Sequence, residues 1–176
     1  MSYLAKVTLD HLLDLGEKHA RDMLLKRREP QMQTFFHLVA PEGGEDAIIP
    51  CNWRSDYEKD VTVACVKATA AIMKAVMALY VAEAWMLELP PPLTSWHAQH
   101  QMDNGPRPSE SPDRIEVVQI MAMDGTTTKG RTLQMIRNRP GGKLISLVLI
   151  PERDTENTGY QGRMIDGIIP PRKEAA

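Results

Sequence analysis

The sequence predicts an α+β domain in which two helices pack on a largely antiparallel sheet of about six strands, in the order α-β-β-α-β-loop-β-β-β. Three observations predict this class. Two long segments repeat apolar residues at helical spacing, shorter segments have the composition of strands, and glycine-containing turns join several of those strands. Such short connections favour antiparallel pairing, because parallel strands need a longer crossover.

Length and composition indicate one globular domain with appendages. The chain has 176 residues, of which 43% are hydrophobic and 25% charged, enough to bury a core without metals or disulfides. A net charge of −2 does not favour a protein that coats nucleic acid. No apolar run reaches the ~18 residues of a membrane span, and the N-terminus does not have the pattern of a secretory signal. We therefore expect a cytoplasmic protein without membrane contact, with residues 1–150 as the domain and 151–176 as an extended tail.

The first helix is predicted from Thr8 to Arg28. Its apolar residues recur at spacings of three and four along one face, namely Leu9, Leu12, Leu13, Ala20, Met23 and Leu24. Thr8 is the expected N-cap residue, and Glu29-Pro30 ends the helix because a proline restricts the residue before it.

A hairpin and a second helix are predicted next. Strands at 34–40 and 46–50 flank a Pro-Glu-Gly-Gly turn. The second helix is predicted from Ser55 to Lys74, since Ser55 followed by Glu58 matches the capping box. Its expected buried stripe consists of Val61, Cys65, Ala68, Ile72 and Val76. This places Cys65 in the core and Cys51 in a loop, and no disulfide is expected between them.

The most apolar stretch, Val76 to Leu89, predicts a strand in the middle of the sheet. Apolar side chains alternate onto both faces, which is typical of a strand covered on both sides. Three prolines at 90–92 must end its pairing. Whether its neighbours run parallel or antiparallel stays open. We expect both helices on one face, with the other face covered by the proline-rich loop, the tail or another subunit.

A long proline-rich loop and an antiparallel meander complete the domain. Residues 90–113 have no periodicity, and loops of this length are usually functional or disordered. Strands at 114–123, 128–137 and 143–150 follow, joined by short turns. Residues 151–176 contain few apolar side chains, so this tail is expected to be mobile alone or to be ordered by docking on the domain or on a partner.

The common catalytic motifs are missing from the sequence. It has no phosphate loop, no dinucleotide fingerprint, no G-x-S-x-G and no H-E-x-x-H. His97 and His100 have a spacing that can hold a metal on a helix, with Asp103 or Glu110 as a further ligand. A proline-flanked loop seldom fixes such ligands, so we predict neither a metal nor a cofactor and favour a protein that is not an enzyme.

Glu83 is the carboxylate that most needs an explanation. It lies among apolar neighbours in the central strand, where a charge is costly unless it is paired. Arg114 or Arg131 could supply the partner. The alternative is a carboxylate with a raised pKa that lines a pocket. The predicted binding residues around it are Glu83, Trp85, Trp96, His97, His100, Arg107, Glu110 and Arg114.

Cations cluster around the last hairpin of the meander, at Arg131, Arg137, Arg139 and Lys143. Alternation places Arg131 and Arg137 on the same face of their strand. A sheet that reads nucleic acid would carry aromatic stacking residues there, and this one has none. A solvated face, or a patch for an acidic protein partner, is the favoured interpretation.

Three segments resemble a family of small bacterial and phage proteins of unknown function. They are Glu83-Ala84-Trp85-Met86, Arg107-Pro108-Ser109-Glu110 and Pro112-Asp113-Arg114-Ile115-Glu116. The resemblance covers the central strand, the loop and the first strand of the meander. It implies no activity, but it implies that the loop is attached to the sheet as a unit.

Binding is the function that these features favour. We expect a non-enzymatic interaction or assembly module, which self-associates or binds a partner protein through an open sheet face, the loop 90–113 and the tail 151–176. A phage-encoded component or an inhibitor of a host protein belongs to this class. The alternative is a small hydrolase-like enzyme with a pocket between Glu83, Trp85 and the loop.

Overall fold

A computed structural model of the chain describes residues 7–86, 111–151 and 165–170. The helices are α1 (Leu9–Arg21), which continues as a π-helical segment (Asp22–Arg27), and α2 (Asp56–Ile72). The strands are β1 (Thr34–Val39), β2 (Ala47–Cys51), β3 (Met77–Met86), β4 (Ile115–Met123), β5 (Thr128–Arg137) and β6 (Leu144–Ile150). One antiparallel sheet has the order β2-β1-β3-β4-β5-β6, which confirms the predicted α+β class.

Strand β3 lies inside the sheet, as its apolar sequence predicts. It pairs antiparallel with β1 on one side and with β4 on the other, which answers the question that the sequence left open. Its side chains are buried on both faces: Leu79 and Val81 belong to one hydrophobic cluster, and Ala78, Tyr80 and Ala82 to another.

The two helices lie on opposite faces of the sheet, so the expectation that they share one face is wrong. Leu12, Leu13 and Ala20 of α1 pack in the cluster that contains Leu79. Val63 and Val66 of α2 pack in the cluster that contains Tyr80. The physical reason is the two-sided character of β3, because a strand with apolar residues on both faces needs a cover on each. Within the described part of the chain, both covers come from the same molecule.

Helix α1 begins as its N-cap predicts. The Thr8 hydroxyl oxygen accepts a hydrogen bond of 3.2 Å from the His11 backbone N–H. The helical path ends at Arg28, whose φ of 59° is left-handed. Gly16 permits a close approach to the sheet, since a Cβ built there would lie 2.6 Å from Cγ2 of Ile120. The position therefore needs glycine for packing, in spite of the low helix propensity of that residue.

Helix α2 begins at the predicted cap but buries a different face. The Glu58 backbone N–H donates to the Ser55 hydroxyl over 3.2 Å, and the Glu58 carboxylate accepts from the Arg54 N–H. The buried residues are Val63, Val66 and Ala70. Four members of the predicted stripe, Val61, Cys65, Ala68 and Ile72, are exposed, and the fifth, Val76, lies beyond the helix and is partly buried. Cys65 is exposed and Cys51 is buried at the end of β2, so the prediction of Cys65 in the core and Cys51 in a loop is wrong; both are free thiols.

The segment 165–170 packs against the same face as α2. Ile165, Ile168 and Ile169 are buried in the cluster that contains Phe36 and Tyr80. A Cβ at Gly125 would lie 2.6 Å from the Pro170 carbonyl oxygen, so this segment also lies against the β4–β5 turn. No helix in the described residues is both long and apolar enough to span a membrane.

Candidate functional site

Glu83 lies on β3 near its end and serves as a backbone acceptor. Its Oε1 accepts a hydrogen bond of 2.6 Å from the N–H of Met32, a residue in the connection between α1 and β1. Met32 is itself buried. The Met32 N–H lies outside the helices and strands, so no regular backbone hydrogen bond satisfies it. The Glu83 carboxylate accepts this hydrogen bond instead.

The pKa of Glu83 is raised from its ordinary value, chiefly because burial removes water from the charged form. The Met32 N–H and the positive charge of Arg137 oppose this rise, while the negative charge of Glu116 adds to it. Arg131 instead binds Asp14 and Glu17, and the Arg114 guanidinium lies over Trp85. The expectation that Arg114 or Arg131 pairs with Glu83 is therefore wrong.

Glu116 and Arg137 form a half-buried ion pair on the same face of the sheet as Glu83. Arg137 Nε donates to Glu116 Oε2 over 2.5 Å, and Arg137 Nη1 donates to the Gly142 carbonyl over 3.0 Å. Both residues line an open cavity of about 650 Å³, whose apolar wall includes Leu24, Met135 and Leu144. Arg131 and Arg137 share one face, as predicted, but ion pairs within the chain occupy both cations. Neither is left as a free cation for an acidic partner.

Trp85 and Arg114 are two predicted binding residues that the structure brings together. The guanidinium carbon of Arg114 lies 4.6 Å from the centre of the Trp85 ring, within the range of a cation–π contact. Trp85 remains 41% exposed. The contact joins the end of β3 to the residue just before β4, where these two strands pair.

The other five predicted site residues lie outside the described residues. They are Trp96, His97, His100, Arg107 and Glu110. The hydrolase-like pocket between Glu83, Trp85 and the loop 90–113 includes these residues, so most of its predicted lining also lies outside. In the described ranges, no three His, Cys, Asp or Glu side chains are grouped to hold a metal ion.

The outer edge of β6 is a surface that the sequence analysis did not single out. The strand reads LISLVLI, without a charged residue, a proline or a glycine. Ile145, Val148 and Leu149 are exposed on it, and Leu147 at its centre is buried. The signal in the sequence was the run of seven uncharged residues, but only the strand order places this run at an edge.

Comparison with known proteins gives no relative: no protein-family model, no curated protein and no solved structure matches this chain. The class that the fold defines is α+β. A function for this chain therefore rests on its own geometry.

Proposed function

We propose that this chain is a non-enzymatic assembly module whose copies associate through the outer edge of β6. The observation that carries the proposal is the uncharged, apolar edge strand LISLVLI. An edge strand has one row of backbone N–H and C=O groups directed away from its sheet, and such a row pairs readily with another strand. Natural proteins usually block it with lysine, proline or a bulge that turns the edge away.

The two edges of the sheet differ in this respect. Strand β2, at the opposite edge, contains Pro50 and follows the acidic pair Glu45-Asp46. Proline cannot donate to a strand ladder, so it blocks pairing at that position. Strand β6 carries no such residue, and its Ile145 is 60% exposed. The register between β5 and β6 shifts where Ile136 pairs with Ser146 and Arg137 with Leu144, so the extra residue is Ile145 at the start of β6. The ladder from Ser146 to Ile150 is regular, and this longer part of the edge is not turned away by the bulge.

A second copy of the chain is the partner that fits this edge. If two β6 strands paired antiparallel around Leu147, the Leu147 residues of the two copies would lie opposite each other and Ser146 opposite Val148, with the exposed Ile145 of each copy near Leu149 of the other. Cross-strand apolar pairs of this kind contribute roughly 0.2–1 kcal/mol each. The arrangement is isologous, because both copies use the same strand, and isologous contacts are the usual basis of dimers. The result would be a continuous sheet across the two copies.

Mass in solution tests the proposal, measured by light scattering on the full chain over a range of concentrations. We expect a dimer or a larger species, and we expect Val148→Lys to release monomers because a lysine on an edge strand opposes pairing. Ile48→Lys is the matched control, since it places the same charge at an exposed position on the other edge strand. A wild-type chain that is monomeric at every concentration would overturn the proposal.

A further inference from the structure

Helix α2 is apolar on two opposite sides. Val63, Val66 and Ala70 face the core. At about 100° per residue, a second apolar stripe lies on the opposite side. We call this the outer stripe, and its members, all exposed, are Tyr57, Val61, Ala64, Cys65, Ala68 and Ile72. Tyr57 is 78% exposed and Ile72 is 83% exposed, so the stripe is in contact with solvent along its whole length.

A helix with apolar residues along two opposite sides normally buries both of them. Burial in a membrane does not account for α2, because no described helix meets the length and apolarity of a membrane span. A continuous row of exposed apolar side chains along one side of a helix instead suits a small contact with another protein surface. We propose that the outer stripe is a second contact between copies of this chain, in which two α2 helices pack antiparallel.

Charge along α2 favours a second copy as the occupant. The first turns carry Asp56, Glu58 and Asp60, the second half of the helix carries Lys67, and Lys74 follows two residues beyond the helix end. Lys59, the cation among the acids, lies 5.7 Å from the centre of the Trp53 ring. Antiparallel packing would place the acidic half of each helix beside the basic half of the other, whereas parallel packing would bring like charges together.

The side chains of the outer stripe also suit a two-fold contact. Its middle consists of the small residues Ala64, Cys65 and Ala68, which permit close approach of two helix axes. Its ends carry the large residues Tyr57 and Ile72. In an antiparallel pair centred between Ala64 and Cys65, Tyr57 of one copy would lie beside Ile72 of the other. Each large side chain would then cover the end of the partner helix.

The size of the outer stripe decides what this contact can do. The 17 residues of α2 span ~25 Å, and with a helix diameter of ~10 Å the footprint is roughly 250 Å². Stable interfaces bury about 800 Å² on each partner, so the helix contact alone gives only weak association. The inference therefore rests on the proposed β6 association, which raises the effective concentration of α2. Two different two-fold contacts on one chain give a closed tetramer or an open chain, and not a simple dimer.

Cross-linking through Cys65 tests the inference. Cys65 is exposed, whereas Cys51 is buried and burial raises its pKa to about 11, so a short bismaleimide should react at Cys65. In the wild-type chain we expect a covalent dimer. Ile72→Glu should reduce its yield at least tenfold, because it places a charge in the apolar contact. Cys65→Ser combined with Lys18→Cys is the matched control, since it moves the thiol to an exposed position on α1.

The outcomes separate this inference from the proposed function. If light scattering finds oligomers but Cys65 does not cross-link, the α2 contact is wrong and the β6 proposal stands. If Val148→Lys is monomeric in dilute solution but still cross-links through Cys65 at high concentration, the α2 contact is supported independently. If a monofunctional maleimide fails to label Cys65 in monomeric Val148→Lys, residues of the same chain cover the outer stripe and the inference is overturned.

Discussion

The Met32 backbone N–H donates a 2.6 Å hydrogen bond to Oε1 of Glu83, which joins the connection after α1 to the far end of the central strand. The residues are 51 apart in the sequence. The bond explains why a carboxylate occupies a half-buried position among apolar neighbours. It satisfies a donor that would otherwise be buried without a partner, and the cost of burying the charge appears as a raised pKa.

Replacement of Glu83 should separate the hydrogen bond from the charge. Glu83→Gln keeps an oxygen that accepts from Met32 and removes the partly desolvated charge, so we expect a free energy of unfolding within about 1 kcal/mol of wild type. Glu83→Ala leaves the Met32 N–H unpaired, which should cost about 1–3 kcal/mol. Denaturant unfolding measures both. Equal losses in the two variants would contradict this role for the acceptor.

The raised pKa of Glu83 gives a pH dependence of known sign. The folded state holds this proton more tightly than the unfolded chain, so the contribution of Glu83 to stability is greatest below the ordinary pKa of 4.5. It declines as pH rises from there through the raised folded value. Asp10 and Asp22 act in the opposite direction, because hydrogen bonds from Lys129 and Lys26 lower their pKa values.

The difference between wild type and Glu83→Gln isolates this effect. We expect the free energy of unfolding of wild type, relative to that of Glu83→Gln, to fall as pH rises from the ordinary pKa of 4.5 through the raised pKa of the folded state. Above the raised pKa the difference should be constant. Chemical denaturation at a series of pH values is the measurement. Glu42→Gln, at an exposed turn position, serves as the matched control. A difference that rises with pH would mean that the folded state favours the charged form of Glu83.

Gly16→Ala should destabilise the contact between α1 and the sheet. The new Cβ would lie 2.6 Å from Cγ2 of Ile120, a fully buried side chain that has little room to move. Overpacking of this kind costs about 1–3 kcal/mol, while alanine returns about 1 kcal/mol of helix propensity. We expect a net loss of roughly 1 kcal/mol in denaturant unfolding, and Lys18→Ala on the same helix as a control should lose less. A gain in stability would mean that Ile120 and the sheet shift to accommodate the added methyl group.

Ile168→Ala should be strongly destabilising although it lies near the end of the chain. Ile168 is 1% exposed in the cluster under α2. Removal of a buried isoleucine to alanine typically costs about 2–5 kcal/mol. Ile48→Ala, at an exposed edge position, should change the free energy of unfolding by less than about 1 kcal/mol. Similar values for the two variants would show that segment 165–170 does not stabilise the fold in solution.

A truncation at Pro151 would not be a clean test of whether the tail takes part in assembly. Such a chain loses Ile165, Ile168 and Ile169 from the core, so it would be destabilised whether or not the tail takes part in assembly. Point substitutions on the exposed edge of β6 leave those core residues in place. They are therefore the cleaner test of association.

Local chemistry in the sequence determined the elements of this fold. The hydroxyl groups of Thr8 and Ser55 cap the two helices, and Asp124-Gly125 forms the β4–β5 turn, where Gly125 has a φ of +85°. Each of these signals acts within a few residues, so it does not depend on the rest of the chain. The two-sided apolar pattern of β3 likewise predicted its place inside the sheet.

Only the tertiary structure decided which surfaces these elements bury. Helix α2 carries two apolar stripes on opposite sides, so periodicity alone could not choose between Val63-Val66-Ala70 and the stripe through Val61 and Cys65. The choice depends on which strand residues face the helix, and these are distant in the sequence. The hydrogen bond from the Met32 N–H to Glu83 likewise joins residues that are distant in the sequence, so the sequence pattern did not predict it. Long-range packing sets such pairings, and a pattern within one segment does not contain them.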